Sequence, residues 1–200
     1  MQYRQNGTES VLDLSMNAPR PDYGLQYTNR MKNLILIRHA KSRWDDPTLN
    51  DKDRPLNRRG KLDAPIMGRL LKQKGLVPDL ILASPAKRAR KTAVKIAEEV
   101  GYPKARIVIR ETLYLEGIAA LIEIIRALED DKHRVFLVGH NPELTDLANR
   151  LTGSSITNIP TCGIVSVEFP VASWRKTAEE TGVLALFERP PRPQVVGKDD

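Results

Sequence analysis

Two rhythms of apolar residues alternate along this chain. Leu34–Ile37 and Val135–Val138 are apolar at consecutive positions, as expected of strands covered by helices on both faces of a parallel sheet. Elsewhere the apolar positions fall at helical spacing: Ala89, Ala93, Ile96, Ala97 and Val100 share one face, and Arg88, Thr92 and Lys95 another. Read in order, the pattern predicts strands over 33–37, 79–83, 106–109, 134–138, 163–169 and 183–188, with helices over 58–74, 85–100, 118–128 and 142–151. That alternation predicts an α/β fold, a three-layer α/β/α sandwich with a mostly parallel central sheet of about six strands. The strands at 34 and 135 belong in its interior.

Local signals refine the picture. Pro65 inside the first helix predicts a kink or a detached first turn, because proline lacks the N–H that would bond one turn back. Ser84 and Pro85 read as the N-cap and first residue of the second helix. Arg88 then falls in the first turn, where unpaired N–H groups and the helix dipole already favour an anion. Residues 1–30 are polar, carry Glu9, Asp13 and Asp22, and lack the apolar stretch of a secretory signal. The folded domain is therefore expected over 31–189, with Met31 a candidate translation start. A proline-rich tail is expected over 190–200.

Composition narrows the function classes. A chain of 200 residues with 40% hydrophobic and 28% charged residues fits one globular domain, and no apolar run approaches membrane-spanning length. The single cysteine, Cys162, has no partner for a disulfide or a Cys-x-x-Cys motif, which suits a reducing cytoplasm and a packed, unreactive thiol. The net charge of +7 would suit a nucleic-acid binder or a surface that collects anions, and basic residues are densest over 41–61 and 87–95. Aromatics make up only 5% of the chain, too few for a base-stacking surface. No nucleic-acid or membrane partner is expected.

The chemistry points the same way. In open α/β sheets ligands sit beyond the carboxyl ends of the strands. His39 directly follows the first strand, His140 follows the fourth, and Arg88 opens the helix after the second. One histidine at a strand end is most often a structural hydrogen-bonder. Two imidazoles and an arginine directed at one crevice suit phosphoryl transfer, in which negative charge spreads over three oxygens that guanidinium groups hold well.

At these residues the chain resembles the histidine phosphatase (phosphoglycerate-mutase-like) superfamily, and within it the small bacterial SixA phosphohistidine phosphatases. The likeness spans roughly residues 31–169. It rests on Arg38-His39, Asp53-Arg54-Pro55-Leu56 with Gly60, Ser84-Pro85 with Arg88-Ala89 and Thr92, and Gly139-His140-Asn141. The resemblance implies that His39 is the nucleophile, that Arg38 and Arg88 hold phosphate oxygens, and that His140 stabilises charge opposite the nucleophile. Arg54 is a further substrate-binding candidate. No cofactor or metal is implied.

Where many members carry Arg-His-Gly, this chain has Ala40, which keeps a small side chain. Members that act on alkyl phosphates also use a carboxylic acid to protonate the leaving oxygen. The candidates here are Glu111, the foremost, and Glu116. A phosphohistidine substrate needs such help less, because imidazole, with a pKa of about 6.5, leaves far more readily than an alkoxide. The connections over 83–106 and 109–134 are each filled by one helix, leaving no room for the large helical insertion that caps bigger members.

The resemblance therefore implies a phosphatase open to a phosphorylated protein. A broad small-molecule phosphomonoesterase, a mutase and a non-catalytic phosphoprotein-binding module are the alternatives. A zinc hydrolase fits poorly: there are three histidines, and His133 precedes its strand, at the opposite edge from His140. The sequence leaves the oligomeric state open.

Overall fold

The computed structural model describes residues 31–191. The expected extension at 1–30 and most of the expected tail at 190–200 lie outside the described residues. Six strands form one sheet: β1 (Lys32–Arg38), β2 (Leu80–Ala83), β3 (Val108–Ile109), β4 (Arg134–Gly139), β5 (Ile164–Phe169) and β6 (Val183–Glu188). Their order is β3-β2-β4-β1-β5-β6. Neighbours from β3 to β1 are parallel, whereas β5 and β6 pair antiparallel. The helices are α1 (Arg58–Gln73), α2 (Lys87–Val100), α3 (Gly117–Arg126) and α4 (Glu143–Thr152).

Strand alternation divides the interior into two cores. Ile35, Ile37, Phe136 and Val138 point to one face and pack with Ala64, Met67, Ala93 and Ile96 of α1 and α2. Leu34, Leu36, Val135 and Leu137 point to the other and pack with Leu121, Ile125, Leu147 and Leu151 of α3 and α4. This is the three-layer sandwich, with β1 and β4 at its centre, buried except at Arg38 and Arg134. Burying each such large apolar side chain contributes about 1.5–3 kcal/mol. Cys162 packs into the first core, and burial pushes its thiol pKa up.

Two local expectations are corrected. The first turn of α1 is not detached: the helix continues through Pro65, with α2 packed closely along it. A Cβ on Gly68 would lie 2.8 Å from Cβ of Glu99 and 3.2 Å from Cα of Ile96, so the contact depends on glycine there. Ser84 does not cap α2, which begins at Lys87 with Ala86 at the N-cap and no side-chain cap bond. The Ser84 hydroxyl is taken up by a longer-range partner at the site. Element ends also shift: Arg106 lies in a 3-10 turn and β3 shrinks to two residues.

Register decides what meets at the sheet edge. Arg38 pairs with Gly139 across the parallel β1–β4 ladder, so the next residues, His39 and His140, leave the sheet side by side. Ala83 pairs with Val138, which brings Ser84 to the same edge on the far side of β4. The segment after His39 folds back on itself through a Ser42–Leu56 bridge. It is pinned to α1 by Asn57, whose side chain accepts from the Gly60 N–H at 2.8 Å while its own N–H donates to the Lys41 carbonyl. Gly60 is required here: a Cβ would sit 2.2 Å from the Lys41 oxygen.

Candidate active site

The two imidazoles meet, with ring centroids 5.0 Å apart and planes tilted by 54°. His39 Nδ1 lies 2.8 Å from the Ala40 carbonyl oxygen, a contact that only an Nδ1–H can make favourably. Its Nε2 is therefore the bare nitrogen, and it accepts from Nε of Arg88 at 3.2 Å. The backbone beneath is braced from both sides: His39 N–H donates to the Gly139 carbonyl, and Cys162 N–H is shared between the Arg38 and His39 carbonyls. His140 is buried. Its Nε2 lies 2.7 Å from Ser84 Oγ and its Nδ1 3.4 Å from Nη2 of Arg88.

Arg88 is buried in the first turn of α2, and its guanidinium presents two edges. The Nε and Nη2 edge faces the imidazoles. The other edge is bound by Asp51: Nη1 donates to its carbonyl oxygen at 2.6 Å and Nη2 to its Oδ2 at 2.8 Å. The same Oδ2 accepts from the Tyr114 hydroxyl at 2.6 Å, and Oδ1 accepts from Nη1 of Arg54 at 2.8 Å. One carboxylate thus fixes two arginines and a phenol. The hydrogen bonds from Tyr114, Arg88 and Arg54 outweigh its partial burial and hold the Asp51 carboxyl well below the usual carboxylate range.

The remaining sequence candidates separate. Arg38 is anchored by Nη1, which donates to the Ile159 carbonyl at 2.7 Å and to Asn158 Oδ1 at 3.1 Å. Its Nε is buried with no hydrogen-bond partner among the described residues. Arg54 is committed to the protein on all three nitrogens, through Arg43 O, Asp51 and Ser42 Oγ, and it reaches the histidines only through Asp51. Its guanidinium carbon lies 3.2 Å from the centroid of the exposed Trp44 ring. Glu111 is turned away, its exposed carboxylate 3.2 Å from Nζ of Lys52. Glu116 is an exposed residue at the N-cap of α3. Among the described residues neither glutamate hydrogen-bonds an imidazole; Glu116 lines a small cavity beside His140 together with Glu143, while the turn over Glu111–Leu113 leads into Tyr114, whose ring stands edge-on to His140.

Electrostatics keep both rings neutral. Burial lowers the His39 pKa to about 4, opposed by the hydrogen bond to the Ala40 carbonyl and helped by the charges of Arg88, Arg38 and Arg54. Burial likewise lowers His140 to about 3, helped by His39 and Arg88 and opposed by Asp51. A cationic His140 is therefore not the form at neutral pH in this arrangement. A bound phosphate dianion would move it toward protonation.

Comparison with known proteins agrees with this geometry. The profile of the histidine phosphatase superfamily (branch 1) matches residues 34–114. An uncharacterized chloroplastic protein of Arabidopsis thaliana is 33% identical over 163 residues, covering 78% of this chain and 74% of the relative. An uncharacterized protein of Mycobacterium tuberculosis is 33% identical over 136 residues, covering 68% of this chain and 82% of its own. The chain belongs to the histidine phosphatase superfamily. Among solved structures, one assigned as the phosphohistidine phosphatase SixA of Agrobacterium tumefaciens superposes with a TM-score of 0.69 at 27% identity, covering 80% of this chain and 98% of that one. A tungstate complex of the protein histidine phosphatase SixA gives a TM-score of 0.68 at 21% identity, covering 79% and 97%.

For this histidine phosphatase the matched segment holds His39, Asp51, Arg54, Arg88 and Tyr114, and His140 arrives from beyond it. Sequence reasoning left Asp51, Tyr114 and Asn158 out of the site and read Ser84, a residue of the family motif, as a helix cap. Asp51, two residues before the Asp53-Arg54-Pro55-Leu56 stretch, makes the contacts to Arg88, Arg54 and Tyr114. The available signal was the clustering of Asp51 and Arg54 one 3-10 turn apart. Among the described residues no helix is long and apolar enough to cross a membrane. The expectation of a cytoplasmic location rests on the lone cysteine, and the Arabidopsis relative is chloroplastic.

Proposed function

We propose that this histidine phosphatase transfers a phosphoryl group to Nε2 of His39 and then to water, and that its substrate is phosphohistidine on a protein. The observation that carries the reading is the tautomer of His39. Its Nδ1–H is committed to the Ala40 carbonyl, so an unprotonated Nε2 faces Arg88 and the second imidazole. In the first step Nε2 attacks phosphorus, and the bond from phosphorus to the leaving nitrogen breaks with its electron pair going to the departing imidazole, which takes a proton from solvent. In the second, water attacks phosphorus, the pair in the phosphorus–nitrogen bond returns to Nε2, and a proton passes to solvent.

The side chains divide the work. The Nε/Nη2 edge of Arg88 and the unpartnered Nε of Arg38 hold equatorial oxygens. The Ser84 hydroxyl donates to His140 Nε2, which leaves the proton of this neutral ring on Nδ1, and that N–H donates a hydrogen bond to the transferring group. A leaving group that needs little protonation suits this site. Asp51, the carboxylate that holds Arg88, is kept ionised by two arginines and a tyrosine, and Glu111 is paired with Lys52 at the surface.

The test is rapid quench with a labelled substrate. An acid-labile, base-stable phosphoenzyme is expected, absent in His39→Ala, with phosphohistidine hydrolysed faster than alkyl phosphates. Hydrolysis of simple sugar phosphates at a rate well above that of phosphohistidine would overturn the substrate assignment, and turnover that survives His39→Ala would overturn the mechanism.

A further inference from the structure

We infer that the open edge of the sheet beside the site is a docking groove for an acidic, amphipathic helix of a partner protein. The groove, about 340 Å³ in volume, lies between α2 and the region around the edge strand β3. Lys87, Arg90 and Lys91 rise from the exposed side of α2, and Lys104 faces them from the turn before β3. Among the described residues none of these four cations lies within 4 Å of a carboxylate. Among the described residues no acidic side chain lines the groove. The acids of α2, Glu98 and Glu99, stand in its last turn, where Glu99 is engaged by Arg69.

The floor between the cations is apolar. Val94 and Ile107 are half-buried there, and Ile109 is 41% exposed. Cations bordering an unpartnered aliphatic strip match a helix that carries leucine-like residues on one face and carboxylates on its flanks. A strand is a poorer occupant, since β3 offers only two residues of ladder before the chain turns away. Nucleic acid is also a poorer one: among the described residues no aromatic side chain lines the groove to stack a base.

The groove reaches the reacting end of the sheet. Ile109 pairs with Ala83, the residue before Ser84, and Lys87 immediately precedes Arg88. A helix held here lies beside the mouth of the site, where a phosphorylated side chain on the same partner can reach His39. That last link rests on the function proposed above, whereas the docking itself does not.

The experiment is fluorescence anisotropy on the full chain with a short labelled helical peptide bearing leucines on one face and glutamates on its flanks. The expected result is saturable binding that weakens about tenfold or more in the double variant Lys91→Glu/Lys104→Glu and is unchanged in Lys61→Glu/Lys72→Glu, an equal charge change on α1. A peptide with serines for the leucines is expected to bind about tenfold more weakly. Equal loss in both double variants, equal binding of the serine peptide, or tighter binding of duplex RNA that is lost in the same variant would overturn the proposal. Hydrolysis of a small aryl phosphate is expected to be the same in Lys91→Glu/Lys104→Glu as in the parent. Loss of that hydrolysis in His39→Ala bears on the function alone, so the two readings fail separately.

Discussion

Replacing Asp51 by asparagine tests whether the carboxylate aims Arg88 or merely neutralises it. In the parent, the two carboxylate oxygens accept from Arg88, Tyr114 and Arg54, and the backbone carbonyl takes the remaining Nη1 of Arg88. Asparagine keeps one side-chain acceptor and turns the other into an NH₂ donor, so at least one guanidinium loses its partner. A hydrogen bond to a charged group is worth about 1.5–3 kcal/mol. The Asp51 side chain is 45% exposed, and solvent screening reduces the net loss to about 1–2 kcal/mol, a fall of roughly 2–8 °C in the unfolding midpoint for a domain of this size. The effect on chemistry is expected to be larger, because the Nε/Nη2 edge that faces the imidazoles loses its backing. We expect kcat/KM to fall about 10–100-fold, equivalent to about 1.4–2.7 kcal/mol of transition-state stabilisation. The assay pairs steady-state hydrolysis with product inhibition by inorganic phosphate. If Asp51 aims Arg88, the variant binds phosphate more weakly. Tighter phosphate binding with undiminished kcat/KM would refute the reasoning, since it would make Asp51 a competing anion that substrate has to displace.

Further outcomes follow from the same contacts. Glu111→Gln should leave kcat within about twofold, because that carboxylate pairs with Lys52 at the surface, and a hundredfold loss would restore it as the proton donor. Ser84→Ala should lower kcat by about 3–10-fold with a smaller change in KM, since its hydroxyl orients His140 from 2.7 Å. Gly60→Ala should destabilise the fold by about 1–3 kcal/mol in chemical denaturation, because the new Cβ would meet the Lys41 carbonyl at 2.2 Å. In the pH profile, His39 and His140 have folded pKa values of about 4 and about 3, below the unfolded value of about 6.5. Between those values the unfolded chain binds more protons, so these rings cost no stability above pH ~6.5 and progressively destabilise the fold as pH falls toward 4. The acid limb of kcat/KM due to the nucleophile should accordingly lie near pH ~4 once the substrate's own ionisation is allowed for, and a limb at pH ~6.5 that belongs to His39 would contradict this.

The order of helices and strands was legible in the sequence because burial imposes period. Consecutive apolar residues at Leu34–Ile37 and Val135–Val138 can be satisfied only by covering both faces of a strand, and the stripe Ala89–Ala93–Ile96–Val100 only by a helix on one side of a sheet. The placement of His39, His140 and Arg88 was legible for a related reason: each directly follows a strand, or opens the helix after one, and parallel neighbours discharge their ends at the same edge. Chain order does not disclose which strands are neighbours. Only the folded sheet sets β4 between β1 and β2, and that register puts Ser84 against His140 instead of at the cap of α2. Asp51, Arg54 and Tyr114 were likewise invisible as a unit, because Tyr114 comes 63 residues after Asp51 and hydrogen bonding between side chains leaves no period to read. Local hydrophobic spacing is determined residue by residue along the chain, whereas the charges that orient a guanidinium are chosen by whichever distant loops the packed layers bring within 3 Å of it.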